Sequence, residues 1–384
     1  MTDSPETTAV TAGRGDSGSL APALWPTTVW QTEGLDDTSR RATGVRQDGL
    51  YSRYSNPTVR QFEEAVAALE GAESALAFAS GMGAIASVVL ALCGNGSHIV
   101  AQNNLYGATM SFLRGPCTRF GIDVTFVDPT SPGSFAAAVQ PGRTMLVIAE
   151  SPSNPRLALT DLSELGAIRG PFTMVDSTMA TPLGQRPLDF GVDIVLHSAT
   201  KGIGGHNDAL LGVVAGSAEL LDEVWAYSVM HGAVASPHDA LNALRGMRTL
   251  AVRTAHQHTT ALRLGNALAS HPRVRSTIHP FLDSHPQHRL ARAQMRMGGT
   301  LLALDIDGGT DACRSVISRL RLARPATSFG GPETLVCHPA TSTHAGLSAG
   351  DLSTMQVTDG LLRVSVGLEN ADDLLADFTQ ALAG

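Results

Sequence analysis

Seven short apolar runs, Ala75–Ala79, His98–Ala101, Asp123–Val127, Thr144–Ala149, Thr173–Val175, Ile194–Leu196 and Leu210–Ala215, are separated by helical stretches. Strands spaced this way are too far apart for tight hairpins. They need crossover connections, so the pattern predicts βαβ units around a largely parallel sheet. Ahead of them, residues 59–71 place Val59, Phe62, Ala65, Val66 and Leu69 at helical spacing, and Gly71 supplies a stop. Met82–Leu92 reads as a second helix. A long helical stretch around Leu241–Leu268 leads out of this region. Beyond it, Thr300–Ile306, a helix at Asp311–Leu322, Leu361–Ser365 and a helix at Ala371–Leu382 describe a smaller α/β unit. The expected division is an N-terminal arm at 1–55 (extended, with about the first 20 residues a flexible tail), a large domain at 56–250 and a small domain at 251–384.

With 43% hydrophobic and 16% charged residues, the chain is globular rather than disordered. A net charge of −8 argues against nucleic acid or an anionic membrane as the main partner. The start of the chain lacks the basic and apolar regions of a signal peptide, and no apolar run reaches the roughly 18 residues that span a bilayer. Four dispersed cysteines without a CxxC fit reduced thiols in a cytoplasmic protein better than a disulfide frame or zinc site.

Of 27 basic residues, one is a lysine, Lys201. Where charge alone is wanted, this chain uses arginine. A guanidinium stays protonated, whereas a desolvated amine can lose its proton and condense with a carbonyl. Chance survival of a surface lysine is the plainer reading, and the neighbours weigh against it. The strand Ile194–Leu196 runs into His197-Ser198-Ala199-Thr200-Lys201, with hydroxyls three and one residues before the amine. Ser80-Gly81-Met82-Gly83 opens a helix after a short strand, which suits an anion as well as a plain tight turn. Asp176 ends an apolar strand, where α/β sheets place ligands and where a helix N-cap is the alternative. A ligand with a carbonyl, a phosphate and a basic ring nitrogen satisfies all three, and pyridoxal 5′-phosphate (PLP) is that ligand.

The motifs YSRYSNPT (51–58), ASGMGAI (79–85), LYG (105–107), ESPSNP (150–155), VDSTMATP (175–182), HSATKGIGGH (197–206), SFGGPETL (328–335) and LLRVSVGLEN (361–370) occur in order along nearly the whole chain. In these the chain resembles the Cys/Met-metabolism, or trans-sulfuration, PLP enzymes. The resemblance implies PLP fold type I, an α/β fold of the aspartate-aminotransferase kind. It also implies that Lys201 forms the Schiff base and shuttles protons, and that Asp176 holds the ring nitrogen. Gly81, Met82, Ser198 and Thr200 would take the phosphate, with Tyr51 and Arg53 reaching the site of a neighbouring subunit. Tyr106 would stack on the ring and exchange protons, Asn154 would meet the ring's phenolate oxygen, and Arg363 with Ser328 would hold the substrate carboxylate. The implied assembly is a homodimer with shared active sites, usually paired into a homotetramer. No metal is expected; His206, Asp208, His338 and His344 read as structural.

The sequence departs from the family at the substrate's far end. Thr327 stands where cystathionine enzymes carry Glu, Ala108 where methionine γ-lyases carry Cys, Gly202 where an aromatic is usual, and Met179 and Pro332 are also atypical. The resemblance implies γ-elimination on an amino acid with a γ-leaving group, with γ-replacement the alternative and β-elimination a more distant one, and the departures imply an unusual substrate. A PLP carrier without turnover leaves Tyr106 and Arg363 unused. A Rossmann dehydrogenase would require the GxGxxG and ribose-binding acid that are missing here.

Overall fold

The computed structural model describes residues 3–15 and 18–383. The first seven strands are β1 (Ser74–Phe78), β2 (His98–Gln102), β3 (Asp123–Val127), β4 (Thr144–Glu150), β5 (Phe172–Asp176), β6 (Ile194–Ser198) and β7 (Gly212–Gly216), in the sheet order β1-β7-β6-β5-β4-β2-β3. From β6 to β3 all pairs are parallel, and only β7 runs against its neighbours. The inner parallel strands β2, β4, β5 and β6 are buried on both faces, as continuous apolar runs require, while the edge strand β3 is only partly covered. On β1, Leu76 and Phe78 face helices Gly81–Leu92 and Ala218–His231 through Ile85, Val88 and Val224. Ala75 and Ala77 face helices Pro57–Glu70 and Pro237–Met247 through Phe62, Val66, Leu244 and Met247.

The remaining strands are β8 (Val274–Ile278), β9 (Leu301–Ile306), β10 (Arg324–Pro325), β11 (Leu335–Cys337) and β12 (Leu361–Ser365), in the order β10-β11-β12-β9-β8 and antiparallel except for β10-β11. Helices Leu250–Leu268, Gly309–Arg319 and Ala371–Ala383 cover this sheet through Leu264, Val316 and Phe378. The expected long helix around Leu241–Leu268 is two helices, Pro237–Met247 and Leu250–Leu268, parted at Arg248 and Thr249.

Two readings of the N-terminal region are corrected. The supposed flexible tail contains a helix, Pro5–Thr11, capped by Ser4 and burying Ala9 (2% exposed) against the cluster around Phe62 and Val66. Residues 1, 2, 16 and 17 of that tail lie outside the described residues. The arm also contains a helix, Leu35–Thr43, which buries nothing and is held by Asp37 pairing with Arg40 and Arg41. Such i,i+3 and i,i+4 pairs support a helix without any apolar stripe to betray it.

The small sheet carries an acid-sensitive core. His279 is fully buried, with its ring 5.4 Å from that of His258. Burial first, and His258 second, push the His279 pKa down to about 3; burial likewise pushes His285 down to about 4. A histidine whose folded pKa is depressed stays neutral while the unfolded chain protonates near pH ~6.5, so stability is lost as pH falls below that value. The thermal midpoint is expected to drop between about pH 6.5 and pH 4, more steeply in the wild type than in His279→Gln. Equal slopes in the two proteins would contradict this assignment.

Candidate active site

The strand register places the chemistry. Glu150 lies opposite Asp176, Asp176 opposite Leu196, and Ser198 and Phe78 both opposite Gly212. The C-terminal ends of β1, β4, β5 and β6 thus share one edge, where doubly wound sheets bind ligands. A cavity of about 630 Å³ opens there. The large sheet contributes Gly81, Met82, Tyr106, Asn154, Asp176, Ser198, Thr200 and Lys201 to its wall, and the small sheet side contributes Thr327, Ser328 and Arg363.

Ser80 caps the helix Gly81–Leu92, its hydroxyl accepting from Gly83 N at 3.0 Å. The first-turn N–H groups of Gly81 and Met82 have no partner among the described residues. A side chain at position 81 would crowd Ser198: a Cβ there would lie 3.0 Å from Ser198 Cβ and 3.2 Å from its hydroxyl, so Ser198 would have to give way. The Thr200 hydroxyl accepts from Leu211 N at 2.9 Å and donates to Leu211 O at 3.2 Å, which ties the loop before Lys201 to the start of β7.

Asp176 is partly buried and lines the cavity. One carboxylate oxygen accepts from Thr178 N at 3.0 Å and from the Thr178 hydroxyl, and that hydroxyl accepts in turn from Ser198 N at 2.8 Å. Burial raises the Asp176 pKa above the ordinary carboxylate value. It forms no ion pair among the described residues; His197, whose ring pairs with Glu70, attracts it from beyond contact distance.

Lys201 Nζ donates to Ser328 Oγ at 2.7 Å and lies 5.4 Å from the Phe329 ring centroid. Burial first, and Arg363 second, lower its pKa to about 8, which leaves a substantial neutral fraction near pH ~7.5. Ser328 has φ +77°, a left-handed conformation uncommon for a side-chain-bearing residue and most often found at functional sites. Arg363 is 3% exposed. Its guanidinium donates to Asn154 Oδ1 at 3.0 Å and to Ser328 O at 2.9 Å, while Nε has no partner. A buried guanidinium with a spare N–H and no carboxylate is suited to an incoming one.

Two of the expected residues lie elsewhere. Arg53 donates to Val229 O at 2.7 Å and sits 5.5 Å and 5.1 Å from the rings of Tyr51 and Tyr54, outside the chain's own cavity; Tyr51 is 41% exposed. Of the atypical residues, Ala108, Met179 and Thr327 do line the cavity. Pro332 does not: its carbonyl accepts from Leu368 N at 2.7 Å, a packing role behind the site. Gly202 has no room for an aromatic, because a Cβ there would meet Thr181 Cγ2 at 2.8 Å. His206 pairs with Gly204 O, and His338, at the start of the short 3-10 turn Pro339–Thr341, pairs with Thr341 and with Asp359 O.

Two residues of the site went unread in the sequence. Glu150 lines the cavity beside Asp176, and an acid ending the apolar run TMLVIAE is the same signal that singled out Asp176. Arg253, 4% exposed, donates to Gly202 O at 2.9 Å, Gly246 O at 2.8 Å and Thr249 Oγ1 at 3.0 Å, which clamps the loop after Lys201. Nothing in its local sequence sets it apart from the other arginines.

These features fit PLP. The amine of Lys201 suits an aldehyde, the unpaired Gly81 and Met82 N–H groups with Ser198 suit a phosphate, and Asp176, engaged in no ion pair, suits a protonated ring nitrogen. A family model for Cys/Met metabolism PLP-dependent enzymes matches residues 6–383. An L-methionine gamma-lyase of Treponema denticola is 38% identical over 372 residues, covering 95% of this chain and 92% of that protein. An O-succinylhomoserine sulfhydrylase of Pseudomonas aeruginosa is 40% identical over 383 residues, covering 98% of this chain and 95% of that protein. A solved cystathionine gamma synthase from Xanthomonas oryzae pv. oryzae, in complex with aminoacrylate and cysteine, matches with TM-score 0.94 at 34% identity and covers 100% of this chain and 98% of its own. Fold, cavity and matched motifs together make this chain a member of the Cys/Met metabolism PLP-dependent enzymes, with pyridoxal 5′-phosphate as its cofactor.

Proposed function

We propose that the enzyme eliminates an uncharged substituent from Cγ of an amino acid, releasing 2-oxobutanoate, ammonia and the protonated leaving group with uptake of one water. One observation carries the choice of substrate. The charged residues lining the cavity are Glu150, Asp176, Lys201 and Arg363, and the Thr327, Ala108 and Met179 positions add none. A distal ammonium or carboxylate would lose its hydration there without a counter-charge. A thioether or ester meets no such penalty. The gamma-lyase and sulfhydrylase relatives support chemistry at Cγ. Replacement by an added thiol is the second reading, since nothing in the cavity separates the two outcomes.

Bound PLP supplies an electron sink that acidifies the protons at substrate Cα and Cβ. The chain does the rest. Arg363 holds the α-carboxylate with Ser328 beside it. Lys201 moves protons at Cα and Cβ as general base and acid, and the Tyr106 hydroxyl, at the cavity mouth, passes a proton to the leaving group. Asp176 supports the ring nitrogen, Asn154 the ring oxygen, and Gly81, Met82 and Ser198 the phosphate, with Thr200 joining them by turning its hydroxyl proton away from Leu211 O.

The PLP-loaded protein is to be incubated with methionine, O-acetylhomoserine, O-succinylhomoserine and cystathionine, with and without a thiol. 2-Oxobutanoate formed without thiol from an uncharged-substituent substrate supports elimination. Thioether product formed only with thiol favours replacement, and pyruvate from cystathionine would overturn both. Thr327→Glu supplies the missing counter-charge and is expected to raise kcat/KM for cystathionine about tenfold relative to methionine, as one favourable partly buried ion pair allows. An unchanged ratio would contradict the substrate reading.

The same reading makes the enzyme a homodimer with shared sites, paired into a homotetramer. The position of Tyr51 and Arg53 away from their own cavity supports it, as do the exposed apolar side chains Leu20, Val29, Leu35 and Met230 (79%, 61%, 89% and 76%). A monomer by light scattering at micromolar concentration would exclude it. The arm, large and small domains are assigned to 1–55, 56–250 and 251–384, supported by the separate sheets at 74–216 and 274–365. Independent unfolding of residues 251–384 in hydrogen exchange tests that division; a single cooperative unit would argue against it. All four cysteines are buried free thiols, which supports a reducing cytoplasm; export of the native protein would refute it. Among the described residues no helix is long and apolar enough to cross a membrane.

A further inference from the structure

Glu150 ends β4 inside the cavity and is 5% exposed. Its two carboxylate oxygens do different things: Oε2 accepts from Tyr106 N at 2.7 Å, and Oε1 accepts from Asn154 N at 2.9 Å. Its own backbone is fixed to β2, because Gln102 accepts from Glu150 N at 2.9 Å and donates to Glu150 O at 3.1 Å. Gln102 is fully buried and also accepts from the Thr160 hydroxyl at 3.1 Å. The residue after β2 that faces substrate and the residue after β4 that bonds Arg363 are therefore joined through one side chain.

We propose that Glu150 is a positioning residue: one carboxylate oxygen sets Tyr106 and the other sets Asn154, and through Asn154 the substrate clamp Arg363. This rests on the γ-elimination site proposed above. Only an ionised carboxylate accepts both N–H groups at full strength, since a proton on either oxygen would face a donor. The charged groups acting on it are Asp176 opposite on β5 and Arg363 from β12; Lys201 after β6 lines the same cavity, and His344, whose pKa is lowered by burial and then by Arg363, bonds the backbone of Asn154. Burial and the Asp176 charge push the Glu150 pKa up to about 8 against the pull of the two N–H groups. Ionisation, and with it the positioning, is gained as pH rises.

Glu150→Gln and Glu150→Asp, both loaded with PLP, test the assignment. Gln keeps the size but turns an NH₂ toward one of the two N–H donors; Asp keeps the charge but is one methylene short of spanning both. For Gln, kcat/KM is expected to fall about tenfold or more, equivalent to one lost hydrogen bond to a charged group. The acid limb of its kcat/KM–pH curve should lose one ionisation that Asp retains. Above about pH 8, where Glu150 is ionised, removing a buried negative charge beside Asp176 should leave the thermal midpoint of the Gln variant unchanged or higher. A Gln variant with wild-type kcat, KM and pH profile would overturn the proposal, as would a loss of activity matched by a loss of folding in both variants. PLP binding by the wild type, followed by quenching of protein fluorescence, is read separately: no binding there sinks the site itself, whereas binding with an unaffected Gln variant sinks only the role of Glu150.

Discussion

Lys201→Ala is expected to lower kcat by at least about a thousandfold, because a single amine both anchors the cofactor and moves the protons, and positioned proton transfer alone is worth 10²–10⁴. The fold should survive. Nζ makes one hydrogen bond, to Ser328, and burial already works against its charge, so the thermal midpoint is expected to hold or rise. Lys201→Arg should be as inactive as Lys201→Ala, since a guanidinium keeps the charge but cannot act as the base. A small added amine should restore part of the rate in the Ala variant and none in the Arg variant. Steady-state rates and thermal unfolding on the same samples check both halves. A Lys201→Arg protein with appreciable turnover would mean that the lysine contributes charge only.

Asp176→Asn should move stability and function in opposite directions. The side chain keeps an acceptor for Thr178 but loses its charge. A carboxylate whose folded pKa is raised is uncomfortable when ionised, so it lowers stability increasingly as pH climbs above its unfolded value of about 3.9. Removing the charge should therefore leave the cofactor-free protein as stable as the wild type, or more so, at neutral pH. PLP affinity and kcat should both fall, affinity by about a hundredfold or more, because a protonated ring nitrogen would be left without its counter-charge in a low-dielectric site. Titration with PLP followed by protein fluorescence, beside thermal unfolding without PLP, reads the two signs independently. A variant that is unstable yet binds normally would show that Asp176 serves the fold instead.

The parts of this site legible in the sequence are those in which one strand carries its own evidence. Asp176 and the Ser198–Lys201 run each end an apolar strand, and Arg363 sits inside LLRVS, where a buried arginine needs a reason. What stayed hidden depends on elements that meet only in three dimensions. Glu150 acquires its role from the register of β4 against β5 and from the loop after β2, and Arg253 from carbonyls near 202 and 246. The same applies to the altered far end of the pocket. Thr327, Ala108 and Met179 do line it, but Pro332 packs behind it against Leu368, and Gly202 is small because Thr181 occupies the space. In the N-terminal region the failures were of another kind. Pro5–Thr11 buries a single alanine, and Leu35–Thr43 rests on charge pairs, so neither helix offers the apolar period by which helices are found.

Lys201 is the only lysine in the chain, which gives the central claim an unambiguous assay. Protein loaded with PLP is to be reduced with borohydride, digested and mapped by mass spectrometry. The expected result is one phosphopyridoxyl adduct per chain, on the peptide spanning Lys201, lost in Lys201→Ala. No adduct, or an adduct at the N-terminal amine alone, would contradict the account.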